Sequence, residues 1–516
     1  MSRPEARLLT LDRLFERSFS RHPDQVAITT DGESIEYRTL DERSAMLANV
    51  YRKLDLTAQD RGAILMENRS EFLVAQIGAL RANVTVVPLN NQLADDEVHT
   101  LLELAQPSTV VVDSKFHEIL DGAQQEIDSL SYIIGCGSDR ELPMGFHRWA
   151  EMLDRAHSEP PSVAARPDDI AAVYYTSGTT GQPKEIRHTH RSLVLNTYAH
   201  LQEMDIRPGE QMLLVTPLAH SAEPFARAGL AQGGTLSLQR GFDAETVVQT
   251  LGEEGITWTY LVPSMITELL ETVEDSDAGE ELNTLAYGAA PISQSVLERG
   301  IKQFGRVFVQ FYGLTEVPNL ITVLPKQEHD PDDDTALQSA GYPCQLVELT
   351  LIGLEEEWAG PDIGEIAVRS PYAMSGYGGQ VEDSYDEGGW LRTGDVGRID
   401  SEGRVHLLDR LQNVIVQDGK PVYSTLVENA IQRHPGISQV GVIGVPKDSE
   451  RGTDTDQTVK AVVVPNDGAE VDLESLQDCC VEELDCELPD SLDIVGELPE
   501  TPYGKIDKQA LREPYW

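Results

Sequence analysis

A chain of 516 residues with 40% hydrophobic content is long enough for more than one domain and apolar enough to bury real cores. Its 87 acidic residues against 40 basic ones leave a net charge of −47 spread along the whole length, which excludes a nucleic-acid binder and is repelled by anionic membranes. No apolar run approaches the length of a membrane span, and the five cysteines (Cys136, Cys344, Cys479, Cys480, Cys486) show no metal-ligand spacing. Residues 1–21 are charged and carry no signal-peptide apolar region, so the protein is expected to be soluble and cytoplasmic. Only 10 of the basic residues are lysines. A charge excess of this size repels itself unless salt screens it, so a very salty cytoplasm, that of a halophile, is expected.

The periodicity predicts a helix over 9–21, a small hairpin around Asp31-Gly32, and a helix over 40–54. Strands over 62–66, 84–88 and 108–112 then alternate with helices over 71–81 and 94–105, the pattern of a parallel sheet covered by helices. Residues 137–169, with Pro143, Pro160, Pro161 and Pro167, read as a long connection into a second αβ unit. That unit is expected to hold strands over 170–175, 211–216, 258–262, 284–287 and 306–311, with helices over 190–198 and 244–254. After residue 340 short strands with turns predict a β-rich subdomain ending near 409, and 410–516 forms a separate small domain. The expected class is α/β: an N-terminal domain over 1–409, with subdomains about 1–165, 166–335 and 336–409, and a mobile α+β C-terminal lid over 410–516.

The stretch that organises the chain is Tyr174-Tyr175-Thr176-Ser177-Gly178-Thr179-Thr180-Gly181-Gln182-Pro183-Lys184. A buried strand ends in a loop of hydroxyls and glycines closed by a lysine. The glycines admit backbone angles that other residues avoid, the hydroxyls donate to oxyanions, and the lysine is a point charge suited to phosphate. The spacing is not that of a Walker loop. Further along, Gly288-Ala289-Ala290-Pro291, Tyr312-Gly313-Leu314-Thr315-Glu316 and Pro217-Leu218-Ala219-His220 all follow predicted strands. The carboxyl ends of strands are where open α/β sheets bind ligands. Thr393-Gly394-Asp395, Asp409-Arg410 and Gly504-Lys505 complete the set.

In this order, over roughly residues 10–510, these motifs resemble the AMP-forming adenylating enzymes: acyl-CoA synthetases, adenylation domains of peptide synthetases, and luciferases. The resemblance implies ATP, Mg²⁺ and CoA as cofactors and co-substrates. It implies a phosphate loop of Thr176, Ser177, Gly178, Thr179, Thr180, Gly181 and Lys184, and an adenine segment of Gly288, Ala289, Ala290 and Pro291. By the same resemblance Tyr312 stacks on adenine beside Gly313, Thr315 contacts the α-phosphate, Glu316 holds Mg²⁺, and Asp395 accepts from the ribose hydroxyls with Arg410 nearby. Lys505 bridges the attacking carboxylate and the α-phosphate. Gln412 stands at the hinge, Gly419 lies on the loop presented to CoA, and His220, Val262 and Tyr287 are expected to line the acyl pocket. The implied reaction makes an acyl adenylate with release of pyrophosphate, then transfers the acyl group to CoA.

The expected substrate is a fatty or aryl acid. Amino-acid activation, or adenylation of another acid without CoA, is the first alternative. The segment 217–222 offers no carboxylate to pair with an ammonium, which is costly to bury alone. A non-catalytic nucleotide-binding relative is the second; retention of Glu316, Asp395 and Lys505 argues against it. The chain departs from the family pattern at Glu185, where glycine is usual after the lysine, at Gln412, at Asp418, and at Ser424, where proline is usual.

Overall fold

The structure, a computed structural model, describes residues 9–137, 142–163, 165–176, 183–273, 278–354, 362–378, 384–447, 457–466, 468–482, 488–499 and 506–516. Two large sheets dominate. The seven-stranded sheet runs, in spatial order, Phe146–Arg148, Tyr132–Cys136, Thr109–Asp113, Arg61–Leu65, Thr85–Pro88, Ile170–Thr176, Lys184–Thr189. The nine-stranded sheet runs Tyr342–Pro343, Thr322–Leu324, Phe308–Tyr312, Thr284–Gly288, Trp258–Leu261, Gln211–Leu214, Thr235–Leu238, Val26–Thr30, Glu33–Glu36. Their central strands are parallel and near-continuously apolar, as strands covered on both faces must be.

Three strands sit in a sheet that the sequence pattern did not assign them to. The hairpin turning at Asp31-Gly32, with positive φ at both positions, joins the nine-stranded sheet through Ile28↔Leu236 rather than its sequence neighbours. Ile170–Thr176, expected to open the second unit, pairs with Thr85–Pro88 in the seven-stranded sheet. Thr176 and Lys184, the two ends of the expected phosphate loop, therefore both belong to the first sheet. The long connection over 137–169 is also corrected. It contains strand Phe146–Arg148 and helix Trp149–Asp154, whose short lengths give no periodic signal.

The largest core cluster lies between the two sheets, where helices Ser70–Ala82, His190–Glu203 and Glu223–Ala231 pack. At its centre Glu223 and Arg227, one helical turn apart and each 1% exposed at the side chain, form an ion pair. Gln76 donates to Glu223 at 2.8 Å, and Arg227 donates to Thr197 and Asn196 at 2.7 and 2.9 Å. A charge pair this deep is tolerated only because its remaining valences are satisfied.

The β-rich part is a four-stranded antiparallel sheet of Glu348–Ile352, Ile363–Arg369, Leu391–Ile399 and Val405–Arg410. Beyond it, a two-stranded hairpin (Ile415–Gln417, Lys420–Val422) and a three-stranded mixed sheet (Ile437–Pro446, Gln457–Pro465, Ser491–Ile494) build the small C-terminal part around helix Ser424–Ile431. Among the described residues no helix is long and apolar enough to cross a membrane.

Candidate active site

Residues of both large sheets come together beside strand Leu391–Ile399 of the four-stranded sheet: His188 reaches the Thr315 carbonyl, and Tyr312 reaches Asp395. Thr176 and Lys184 are cross-strand partners at the two feet of the phosphate loop. Ser177, Gly178, Thr179, Thr180 and Gly181 lie outside the described residues, as does Lys505. A narrow recess lined by Pro88, Asn90, Tyr174, Tyr175, His220 and Thr315 brings the loop's stem, His220 and the Thr315 motif to one place.

The motif strand Phe308–Tyr312 owes its loop to close backbone approach. A Cβ on Gly313 would stand 2.2 Å from the backbone of Asn319, and one on Gly288 would stand 2.4 Å from the Phe311 carbonyl oxygen, so both positions demand glycine. Ala289 takes φ 67, a left-handed conformation that a side chain rarely adopts and that strained functional loops retain. Ala289 and Pro291 are exposed, with Ala290 half-buried between them.

Three side chains expected at the nucleotide lie together. The buried Asp395 carboxylate accepts from the Tyr312 hydroxyl and, at 2.7 Å, from Arg410 Nε, which lies directly across the antiparallel pair. Burial and the Asp395 charge push the Tyr312 phenol well up, so it stays a donor. The buried His188 donates from Nε2 to the Thr315 carbonyl at 2.9 Å, and burial lowers it to about 4, which keeps it neutral at pH 7.

Tyr377 is a residue the sequence did not signal: one tyrosine in a Gly-rich segment carries no periodicity. Its hydroxyl donates to Glu316 Oε1 at 2.7 Å, and the Lys184 ammonium lies 5.4 Å from the centre of its ring. Its backbone bridges to Ile186, and Met374 N–H donates to the Glu316 carbonyl. The segment thus ties the phosphate-loop foot to the Glu316 motif.

Glu185, the departure beside Lys184, does not stand free. Arg61 donates to both its oxygens at 3.0 Å, Arg187 donates at 2.5 Å, and the Tyr175 hydroxyl at 3.1 Å. These bonds outweigh burial and hold its carboxyl below the usual range. Two guanidinium groups around one carboxylate leave the loop's foot positive.

Of the three residues expected at the acyl pocket, His220 is exposed and Val262 half-buried, just beyond the carboxyl end of strand Trp258–Leu261. Tyr287 is turned away by strand alternation. Its hydroxyl meets His329 at 2.9 Å and Gln310 at 3.2 Å, and its ring packs in a separate core with Leu285 and Phe308, so it is spent on that core. Gln412, expected at the hinge, is exposed in the short turn Leu411–Asn413, and Arg512 donates to the Gln412 and Asn413 carbonyls at 3.0 and 3.3 Å. Asp418 and Gly419, at φ 49 and 76, form the exposed two-residue tip of the hairpin, a turn for which Asp-Gly is a favoured pair.

The AMP-binding enzyme description matches residues 15–378, and the AMP-binding enzyme C-terminal domain matches 426–505. The chain belongs to the AMP-binding enzyme family. It is 32% identical over 501 residues, 96% of either chain, to a feruloyl-CoA synthase of Amycolatopsis sp. It is 30% identical over 525 residues, 97% of this chain and 89% of the other, to the medium/long-chain-fatty-acid–CoA ligase FadD8 of Mycobacterium tuberculosis. The fold matches that of the amide bond synthetase McbA from Marinactinospora thermotolerans with a TM-score of 0.86 at 26% identity, covering 98% of this chain and 100% of that one. Membership in the AMP-binding enzyme family accounts for why described residues as far apart in the chain as Lys184, Glu316, Tyr377 and Asp395 lie close together.

Proposed function

We propose that the chain is an ATP-dependent acyl-CoA synthetase that activates a fatty or aryl carboxylic acid as its acyl adenylate, releases pyrophosphate, and passes the acyl group to CoA. The observation that carries this reading is the convergence of Thr176, Lys184, Thr315, Glu316, Tyr312, Asp395 and Arg410 on one cleft, in a chain of which CoA ligases match 96–97%.

A carboxylate is a poor electrophile until AMP becomes its leaving group. Charge builds at the α-phosphate as the anhydride forms, so catalysis is positioning and electrostatics. Thr315 and Lys184 face that charge, with Ser177 to Gly181 between the loop's feet. Tyr312 and Ala289 to Pro291 take the base, and Asp395 with Arg410 takes the ribose. Lys505 comes from the C-terminal domain, over 410–516, which turns about Gln412 between the two half-reactions. Gly419, at its exposed hairpin tip, serves the second.

Glu316 fits Mg²⁺ as a single hard carboxylate at a phosphate site. No group of three or more potential ligands gathers among the described residues, and Mg²⁺ is commonly held by one or two carboxylates plus substrate phosphates. When bound it would neutralise phosphate charge. Amino-acid activation is disfavoured because Glu223, the carboxylate nearest the 217–222 segment, is committed to Arg227 and Gln76.

The test is a panel of carboxylic acids assayed for AMP and pyrophosphate, with and without CoA, at high salt. AMP formation that depends on an acid and is completed by CoA is expected. AMP without CoA dependence would make the chain an adenylating enzyme with another acceptor. The charge of −47 suits a salt-rich cytoplasm. The melting temperature should climb as the screening length falls from about 30 Å at ~0.01 M to about 3 Å at ~1 M salt, and a flat profile would contradict this.

A further inference from the structure

Beneath the rim formed by His220, Val262 and Ala289, four aromatic rings fill the layer between the nine-stranded sheet and helix Glu223–Ala231. Phe225 lies 5.1 Å from Trp258, 5.0 Å from Tyr260 and 5.4 Å from Phe311, and Tyr260 lies 5.4 Å from Phe311. All four are buried. The alternation that turns Tyr287 away puts Tyr260, Ala286 and Gly288 on this face, where the small residues of strand Thr284–Gly288 would otherwise leave a slot. The Phe311 ring occupies it: a Cβ on Gly288 would stand 3.0 Å from that ring. Phe311 and Gly288 each immediately precede a nucleotide-side residue, Tyr312 and Ala289, so the filled slot adjoins the place where an acid must present its carboxylate.

We propose that Phe311 is the floor of the acyl pocket and that the acid is short, of butyrate or benzoate size, and not a long-chain fatty acid. The proposal rests on the synthetase reading above. Two further features make the floor hard to pass. Above the rings, the Ser221 and Tyr260 hydroxyls bond at 3.0 Å, and Asn319 donates to the Ser221 carbonyl at 3.0 Å, which pins the rim to the ring cluster. Behind them stands the polar centre of the molecule. His200 packs edge-on to Phe225 at 5.1 Å, and Glu223, Arg227, Gln76 and Asn196 share the bonds of the buried ion pair. A methylene chain that threaded past Phe311 would reach this network and unpair a buried charge without replacing its hydrogen bonds. An acid that ends at the rings meets only apolar and aromatic surface.

The test measures initial rates of AMP formation with butyrate, benzoate, octanoate and palmitate in the presence of CoA, for the wild-type enzyme and for Phe311→Leu and Phe311→Ala. For the wild type, kcat/KM for butyrate or benzoate should exceed that for palmitate by roughly a hundredfold or more, since each added methylene past a closed floor is rejected in turn. Phe311→Ala should raise octanoate relative to butyrate by about tenfold, with Phe311→Leu intermediate and KM for ATP unmoved in both. An unmoved ATP constant shows that the variants fold, which a general loss of structure would not allow. Palmitate used as well as butyrate by the wild type, or a chain-length profile that neither variant shifts while ATP binding is intact, overturns the proposal and leaves the synthetase reading standing. No AMP from any acid of the panel overturns both.

Discussion

Asp395 and Asp409 sit on neighbouring strands of the same antiparallel sheet, each 6% exposed, yet they serve opposite faces. Asp395 pairs across with Arg410 and takes its partners, Tyr312 and Arg410, on the face proposed to meet the nucleotide. Asp409, one residue before Arg410, points the other way and accepts the Ser424 N–H and hydroxyl at 2.6 Å each, at the start of the first helix beyond the hinge. Ser424, a departure from the family pattern, also accepts from Lys508 at 2.8 Å. Proline there could give Asp409 neither bond. One sheet thus carries the Tyr312–Asp395–Arg410 cluster on one face and the Asp409–Ser424 contact on the other, which the proposed function reads as nucleotide recognition kept apart from control of the small domain's orientation.

Breaking the separation from the far end should have the largest effect. Lys505→Ala should lower adenylate formation by about 10²–10³, the cost of losing one preorganised charge donor, while a pre-formed acyl adenylate still reacts with CoA. Single-turnover assays of each half-reaction would check this, and a wild-type rate of adenylation would remove Lys505 from the site. Next, Asp395→Ala should raise KM for ATP by about 10-fold or more, since hydrogen bonds to a charged group contribute roughly 1.5–3 kcal/mol. The ratio of the two half-reaction rates should stay put; a changed ratio would mean that the faces are coupled. Ser424→Ala should do the converse. It removes the hydroxyl's bonds with Asp409 and Lys508 but leaves the backbone N–H bond to Asp409, and should shift the half-reaction ratio several-fold with ATP binding unchanged.

The remaining effect concerns acid. Burial holds His188 at about 4, His200 at about 3 and His329 at about 4, against an ordinary 6.5. Each is lowered in the folded state, so the unfolded chain binds more protons below pH 6.5. The stability these groups contribute is whole above that value and drains as pH falls toward 4. All three lie in the large domain, so urea midpoints should fall over this window first in signals from the aromatic core, and a midpoint constant from pH 7 to 4 would contradict the burial.

Much of this was legible because the motifs carry their own chemistry: hydroxyls, glycines and a lysine after a strand read as an anion loop before any fold is known. The helix now seen at Leu11–Arg21 and the hairpin at Asp31-Gly32 follow from periodicity and turn residues. Strand Lys184–Thr189 was not legible, because Lys-Glu-Ile-Arg-His-Thr holds one apolar residue and is a strand only by pairing with Ile170–Thr176. The partners of Glu185 were not legible either. Its guanidinium groups come from Arg187 and from Arg61, on a strand far back in the chain, and local charge counting sees only a carboxylate beside a lysine. Tyr377 and the turned ring of Tyr287 depend on which face each strand presents, which is decided by tertiary packing.

The placement of Val26–Thr30 bears on how the molecule is made. This strand emerges early but pairs with Thr235–Leu238, and at ribosomal speeds of ~5–20 residues per second its partner follows by roughly ten to forty seconds. Throughout that interval its parallel edge is open to any passing strand. The first seven-stranded layer cannot shelter it, since it belongs to the other sheet. The flanking sequence is dense in charge, with Asp24, Asp31, Glu33 and Glu36 on or beside the hairpin, and like-charged copies of one nascent segment repel each other. Acidity that reads in the finished protein as a solvent adaptation would, on the ribosome, act as a guard against edge-to-edge association between chains.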